Sequence, residues 1–233
     1  MIMSEFINTI DVLGDDAVID SIINRTITEF CDDRVAAIGN SAFKGCNSLV
    51  AVKAPSAKTV SSRAFEGCNA LTYLDVSGAT TISIWICYNC PSLVEVHAEQ
   101  ATLIDTSAFN NCKALKKIVC PNVQTVGGDM VTGCSSLESI DLPNVKTIWN
   151  GAFSNSALSM CIIRRTSDVC TLKGLDFANT PIANGTGHIY VPRALVDSYK
   201  AATNWSTYAS QFRALEDYTV DGTITGELDE TKI

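Results

Sequence analysis

Leu137-Glu138-Ser139-Ile140-Asp141-Leu142-Pro143-Asn144-Val145-Lys146-Thr147-Ile148 is one turn of a pattern that recurs along the chain. An Ile or Val stands at Ile38, Val60, Ile82, Ile104, Val126 and Ile148, each 22 residues after the last. Cys keeps the same register at Cys46, Cys68, Cys90, Cys112 and Cys134. Leu keeps it at Leu49, Leu71, Leu93, Leu115 and Leu137. A fixed short period means stacked repeats, each of which buries its apolar side only against its neighbours. The chain is therefore expected to be a solenoid, and solenoids bind more often than they catalyse.

Within one unit, the alternation Leu137, Ile140, Leu142 predicts a short strand with one face inward. Pro143 closes it, as Pro55 and Pro121 close theirs, because proline has no N–H to give to a ladder. Ile148 opens a second short segment, and a tight corner follows. One corner slot holds Gly45, Gly67, Asn89, Asn111 and Gly133. Gly and Asn enter the left-handed region at least cost, so a positive-φ turn is expected just before each Cys. The small residues Ser48, Ala70, Ser92, Ala114 and Ser136 precede each Leu and suit closely stacked coils. Six to seven coils at the usual strand spacing give a stack of roughly 30 Å. Repeat six is one residue short and has Ser156 in place of Cys. A seventh, worn repeat keeps Leu172, Phe177, Ile189 and Val191 in their slots.

With 233 residues, 46% of them hydrophobic, the chain can bury a continuous core. Its net charge of −8 argues against nucleic acid and anionic membranes as partners. No apolar run approaches the roughly 18 residues of a membrane span. The start Met1-Ile2-Met3-Ser4-Glu5-Phe6 has no basic or apolar leader region. As written, the chain would be virion-associated or cytoplasmic, and at the cell surface if a leader has been removed.

Ten cysteines would ordinarily suggest disulfides. Five of them form one in-register column whose side chains point the same way, a poor geometry for bridging. They read as a structural ladder of buried thiols. Asp15 to about Thr28 reads as a helix with an apolar stripe through Val18, Ile22, Ile27 and Phe30, placed to cover the first coil. At the other end Pro192 opens a helix through Leu195, Tyr199 and Ala202. A second helical turn carries Trp205, Tyr208, Phe212 and Leu215. Asp221-Gly222 between Thr219-Val220 and Thr223-Ile224 signals a hairpin. The acidic residues from Gly226 to Ile233 are expected to be loose.

Candidate chemistry is sparse. Cys87-x-x-Cys90 matches a redox or zinc half-site, but both residues already occupy repeat slots. Gly185-Thr186-Gly187 lacks the strand–loop–helix setting of a phosphate loop. Asn204-Trp205-Ser206 matches a glycosylation acceptor, although Trp205 reads better as a cap anchor. His97 has Glu95 and Glu99 beside it, a pattern seen in metal and acid–base clusters and more often on a solvated face. No catalytic residue, cofactor or metal is assigned.

The outward positions of the main strands do not repeat. They form two columns: Ala51, Tyr73, Glu95, Lys117, Ser139, and Lys53, Asp75, His97, Val119, Asp141. Slots that vary inside one chain are free for recognition, so Lys53, Tyr73, Asp75, Glu95, His97, Lys117, Val119, Ser139 and Asp141 form the candidate binding face. Tyr73 is the natural anchor.

The pattern Leu-x-x-Ile-x-Leu-Pro…Ile-x-x-x-Ala-Phe-x-x-Cys-x-x-Leu resembles the BspA-type (Treponema-type) leucine-rich repeat. The stretch Ile189-Tyr190-Val191-Pro192…Tyr199…Trp205…Tyr208 resembles the cap that ends such proteins. One departure is that Ala57, Ala79, Ala101, Val123 and Val145 stand where general leucine-rich repeats have Asn or Cys. The resemblance implies a mostly parallel leucine-rich-repeat solenoid over residues 35–192. It also implies an N-terminal helical cap over 1–34, and a helical cap, hairpin and acidic tail over 193–233. It further implies a non-enzymatic recognition or adhesion module for a protein or cell-surface glycan, carried on a phage particle or cell surface, with a secreted adhesin fragment as the alternative. Assembly into an oligomer or a larger particle stays open.

Overall fold

Short strands form where every second side chain can be buried, and the 22-residue spacing sets them in register. The computed structural model describes residues 24–220 and 223–224. The chain runs β1 (Glu29–Cys31), β2 (Ala37–Ile38), β3 (Ala51–Lys53), β4 (Thr59–Val60), β5 (Tyr73–Asp75) and β6 (Thr81–Ile82). It continues through β7 (Glu95–His97), β8 (Leu103–Ile104), β9 (Lys117–Val119), β10 (Thr125–Val126), β11 (Ser139–Asp141) and β12 (Thr147–Ile148). The last coils hold β13 (Met160–Ile162), β14 (Thr171–Leu172) and β15 (His188–Val191). The odd-numbered strands stack in parallel on one face, in two blocks, β1 to β9 and β11 to β15. The even-numbered ones stack on a second face, also in two blocks, β2 with β4 and β6 to β14. Pairing follows the repeat: Val52 faces Leu74, Leu74 faces Val96 and Val126 faces Ile148. The protein is the parallel-strand solenoid that the period predicted.

The core is a set of columns. Leu71, Leu93 and Leu115, Ile82 and Ile104, and Phe65 and Phe109 are all fully buried. Phe43 and Phe65 stack with centroids 5.3 Å apart. Cys68, Cys90, Cys112 and Cys134 are buried thiols. Each donates its S–H to a carbonyl of the preceding coil, at Phe43, Phe65, Cys87 and Phe109 respectively, over 3.0–3.2 Å. The ladder is thus polar as well as space-filling. Burial pushes the Cys134 thiol up to about 12 and holds Cys112 well above its ordinary value. Where Ser156 replaces Cys, its hydroxyl turns to its own coil and donates to the Phe153 carbonyl at 2.6 Å.

The expected positive-φ corner is present: φ is 69° at Gly67, 58° at Asn89, 62° at Asn111 and 80° at Gly133. A second left-handed slot escaped the sequence reading. Ser41, Arg63, Trp85, Ser107 and Asp129 have φ between 52° and 59°. Their residue types give no warning. The backbone is held there by bonds to the next coil, such as Ser41 N–H to Ser62 O at 3.1 Å and Ser107 N–H to Gly128 O at 2.9 Å.

The ends differ from expectation in two places. Phe30, read as part of a helical stripe, lies in β1, whose pairing with β3 places a strand inside the stretch assigned to the N-terminal cap. Asn24 and Arg25 form a turn, and the rest of the expected helix, residues 15–23, lies outside the described residues. At the C-terminus a 3-10 turn, Arg193–Leu195, leads into α1 (Val196–Ala201), and a second 3-10 segment covers Trp205–Gln211. Phe212 does not continue it. It opens β16 (Phe212–Ala214), which pairs in parallel with β15 and adds one more rung. An exposed strand edge is a stronger constraint than a helical pattern of this length. The hairpin strands β17 (Thr219–Val220) and β18 (Thr223–Ile224) pair antiparallel as expected, and the acidic tail from Gly226 lies outside the described residues.

A Cβ added at Gly67 would meet nothing within 4 Å, so only the backbone resists substitution there. Gly67→Val is expected to cost about 1–2 kcal/mol, a fall of roughly 2–8 °C in melting temperature. Gly67→Asn should cost much less, since Asn89 and Asn111 fill the same slot. Equal losses in thermal melts would remove the positive-φ argument. Among the ten thiols, Cys31 alone is exposed. It should react rapidly with a thiol reagent in the native state, and the other nine only on denaturation.

Candidate functional site

Strand alternation turns the two variable columns outward, while Val52, Leu74, Val96 and Ile118 between them face the core. Neighbouring coils bring five of the candidate residues, Lys53, Tyr73, Glu95, His97 and Lys117, into one connected cluster. His97 Nε2 lies 2.9 Å from Glu95 Oε1, and Nδ1 lies 2.9 Å from Glu99 Oε1. Lys117 Nζ donates to the same Glu95 oxygen at 2.8 Å. The Tyr73 ring packs against the imidazole with centroids 5.5 Å apart, and Lys53 Nζ sits 5.8 Å from the centre of the Tyr73 ring.

The electrostatics follow from these contacts. Burial alone would lower the His97 pKa, but the hydrogen bonds and charges of Glu99 and Glu95 outweigh it and raise the value. The hydrogen bond from Lys117, helped by His97, holds Glu95 below the usual carboxylate range. Both imidazole nitrogens are engaged, which suits a charged imidazolium bound on each side. Among the described residues no group of three or more His, Cys, Asp or Glu is placed to hold a metal ion. Cys87 and Cys90 lie fully inside the core, the Cys87 thiol raised by burial and by its bond to Cys90. Asn204 spends its amide on the Leu172 carbonyl at 2.7 Å, and Trp205 anchors the cap through an Nε1–H bond to the Cys170 carbonyl at 2.7 Å.

Ser139 and Asp141 do not join this cluster, because the sheet parts between β9 and β11. On either side the coils are tied: Ala98 N–H bonds to Val119 O, and Leu142 N–H bonds to Ile162 O. Among the described residues no equivalent bond runs from Cys120 to Asp141 or from Glu138 to Lys116, and β9 and β11 belong to separate ladders. The second face holds, with Val126 still opposite Ile148. The opening is a cleft of about 330 Å³ lined by Lys117, Val119, Cys120, Pro121, Ser139 and Asp141, among others. Its floor is apolar. Ile118 is 8% and Ile140 3% exposed, where Val52, Leu74 and Val96 are at 0%. The inward slots grow at this point: Ala98 and Ala101 give way to Cys120 and Val123, then to Leu142 and Val145. A thicker core under strands of fixed spacing lifts one strand from the next. Asp141, on the far lip, is held by Arg164, whose Nε donates to Oδ2 at 2.8 Å and whose Nη2 lies 2.8 Å from the same atom. The sequence reading missed Arg164, since it falls two residues past a strand in the irregular sixth repeat.

A family model described as the BspA type Leucine rich repeat region matches residues 23–127 and 80–186, with 6 copies of the repeat. The chain belongs to this BspA-type leucine-rich repeat family. A leucine rich repeat protein of Treponema pallidum is similar over 64% of this chain and 67% of its own, at 24% identity and a TM-score of 0.52, a likeness of fold. A leucine rich cell surface protein of Faecalibacterium prausnitzii A2-165 matches 67% of this chain and 36% of its own at 26% identity and a TM-score of 0.40. A leucine-rich repeat protein of Bacteroides ovatus ATCC 8483 matches 66% and 58% at 18% identity and a TM-score of 0.37. No curated protein matches the chain. Among the described residues no helix is long and apolar enough to cross a membrane. Leucine-rich repeat proteins generally mediate protein binding, and the residues gathered here are the variable ones of the BspA-type coil.

The chain has two histidines, and they should titrate in opposite directions. His97 lies above the ordinary 6.5 for the reason given, while burial, then the charge of Arg213, lowers His188. A raised folded value means that the His97 cluster stabilises fully below the unfolded pKa and that this contribution is lost as pH rises through the folded one. An NMR titration should show two separated midpoints, with the higher one absent in His97→Ala. Coincident midpoints would refute the bracketed imidazolium.

Proposed function

We propose that this protein is a non-enzymatic recognition module that binds a protein partner along the opening between β9 and β11. The observation that carries this is the break itself. It leaves strand peptide groups unpaired above an apolar floor, where a partner segment lying over the opening can bond to them. Lys116 and Lys117 on one lip and Asp141 with Arg164 on the other supply charges to orient that segment. The Tyr73–His97–Glu95–Lys117 cluster flanks it, with Tyr73 as the aromatic anchor. A place on a cell surface or on a phage particle fits such a module, since either presents the strand face outward.

Selection of random displayed peptides on the folded chain tests this. Glu138 and Leu142 spend their peptide groups on the β13 side, through Met160 N–H to Glu138 O and Leu142 N–H to Ile162 O. By alternation the Ser139 N–H points into the opening. Ser139→Pro therefore removes a donor that is unbonded in the free chain and should leave the melting temperature within about 1 °C on the usual scale of surface substitutions. Selected peptides are expected to slow amide exchange over residues 117–120 and 138–141 and to lose at least tenfold in affinity for Ser139→Pro. Binders that ignore this variant, or that protect other coils, would place recognition elsewhere.

A further inference from the structure

The second face carries a feature that strand-face recognition does not use. The corner after each even-numbered strand holds a two-residue slot, which reads Asp105-Thr106, Gly127-Gly128 and Trp149-Asn150 on three successive coils. The middle coil has no side chains there. The glycines cannot be replaced, because a Cβ on Gly127 would lie 2.5 Å from the Asp105 carbonyl carbon and one on Gly128 would lie 2.8 Å from the Asn150 carbonyl oxygen. No side chain rises there, and a groove of about 440 Å³ runs over the two glycines between Asp105 and Trp149, whose coils are two apart. At the usual strand spacing those walls stand about 9–10 Å apart, enough for one flat ring between them.

The walls are chemically distinct. Trp149 is 50% exposed, a high value for the largest apolar side chain. Lys173 Nζ lies 5.9 Å from its ring centre, one coil further from the groove. On the opposite wall Asp105 takes the Thr106 N–H on Oδ1. Its Oδ2 and the hydroxyls of Thr106 and Thr125 make no hydrogen bond among the described residues, while the Asn150 side chain lies on the Trp149 coil against Gly174. An aromatic plate thus borders the same groove as a carboxylate oxygen and two hydroxyls.

We infer that the groove over Gly127-Gly128 binds a neutral hexopyranose, the terminal unit of a glycan chain. One face of such a ring is a patch of C–H groups that stacks on an indole, and its rim is a set of hydroxyls that both donate and accept. A carboxylate only accepts, so Asp105 selects ligands rich in O–H donors. Its charge, in a chain of net charge −8, disfavours acidic sugars. The site lies on a different face from the opening between β9 and β11 and stands independently of it.

Tryptophan emission gives the test, because Trp205 is buried and Trp85 carries the Arg63 guanidinium 4.3 Å from its ring centre, leaving Trp149 as the responsive fluorophore. Lactose and maltose serve as neutral probes and galacturonic acid as the charged one. At least one neutral disaccharide is expected to give a saturable emission change, confirmed by calorimetry. Trp149→Ala should abolish binding with an unchanged melting curve, and Asp105→Ala should weaken it about tenfold. No saturable signal with either disaccharide would overturn the assignment. So would equal binding by Trp149→Ala, or galacturonic acid binding as tightly as the neutral sugars. Binding of a phenylalanine-bearing peptide in place of sugar, with the same dependence on Trp149, would overturn it in favour of an aromatic side chain of a protein partner.

Discussion

The fold depends on the hydrogen bond from one coil to the next. A coil of 22 residues with strands of two or three residues cannot pair its strands within itself. Turns within the coil pair some of its peptide groups, as Cys68 N–H to Phe65 O and Leu71 N–H to Cys68 O do, but the strands and the rest of the corner find partners in the neighbouring coil, as in Phe65 N–H to Ile86 O and Gly67 N–H to Tyr88 O. Buried peptide groups left unpaired are costly, so each coil must lie in register with the next. Register then makes every core slot face its own counterpart. The left-handed corners, the small residues at close approaches and the thiol bonds between coils all follow. A thiol fits where it stands because it is small and apolar enough for the core yet still donates to the carbonyl of the previous turn.

A ladder of this kind has a problem at its ends, where the last coil has nothing to bond. The C-terminal segment meets it with side chains as well as backbone. The Tyr199 hydroxyl accepts the Cys170 N–H at 3.1 Å, Trp205 donates to the Cys170 carbonyl, and the Tyr208 hydroxyl accepts the Phe177 N–H at 3.4 Å. β16 closes the strand face. Tyr199 and Trp205 are 0% and 1% exposed, so these aromatic groups continue the core while their polar tips end the ladder. Helix, 3-10 turn and strand here are means of delivering those tips.

The repeating part of the molecule was legible in the sequence because each slot is written several times over. The Cys column, the glycine or asparagine corner and the outward columns needed no structure to find. What was hidden belongs to positions written once or without a distinctive residue type. The second left-handed slot holds Ser, Arg, Trp and Asp, so it shows no preference to read. Phe30 and Phe212 were given to helices because a short apolar spacing of that kind fits either element, and only the open sheet edges decide for strand. Arg164 was missed because repeat six is out of step. The candidate residues lie on the outward side of the strands, but nothing in a list of outward residues shows that the sheet divides them between Lys117 and Ser139.

Both candidate sites lie where the slot rule fails. The core slots thicken from Ala98 through Cys120 to Leu142, and the strands above part. The corner slot empties at Gly127-Gly128, and a groove opens between Asp105 and Trp149. The first gives up backbone bonds, while the second also lets the coils approach closely at Gly127 and Gly128. A repeat protein has little other means of building a concave site, because regular coils present a regular and nearly flat surface. Sequence patterns in such a chain therefore carry two messages. Agreement between repeats encodes the scaffold, and a departure from that agreement is the place to test for a ligand.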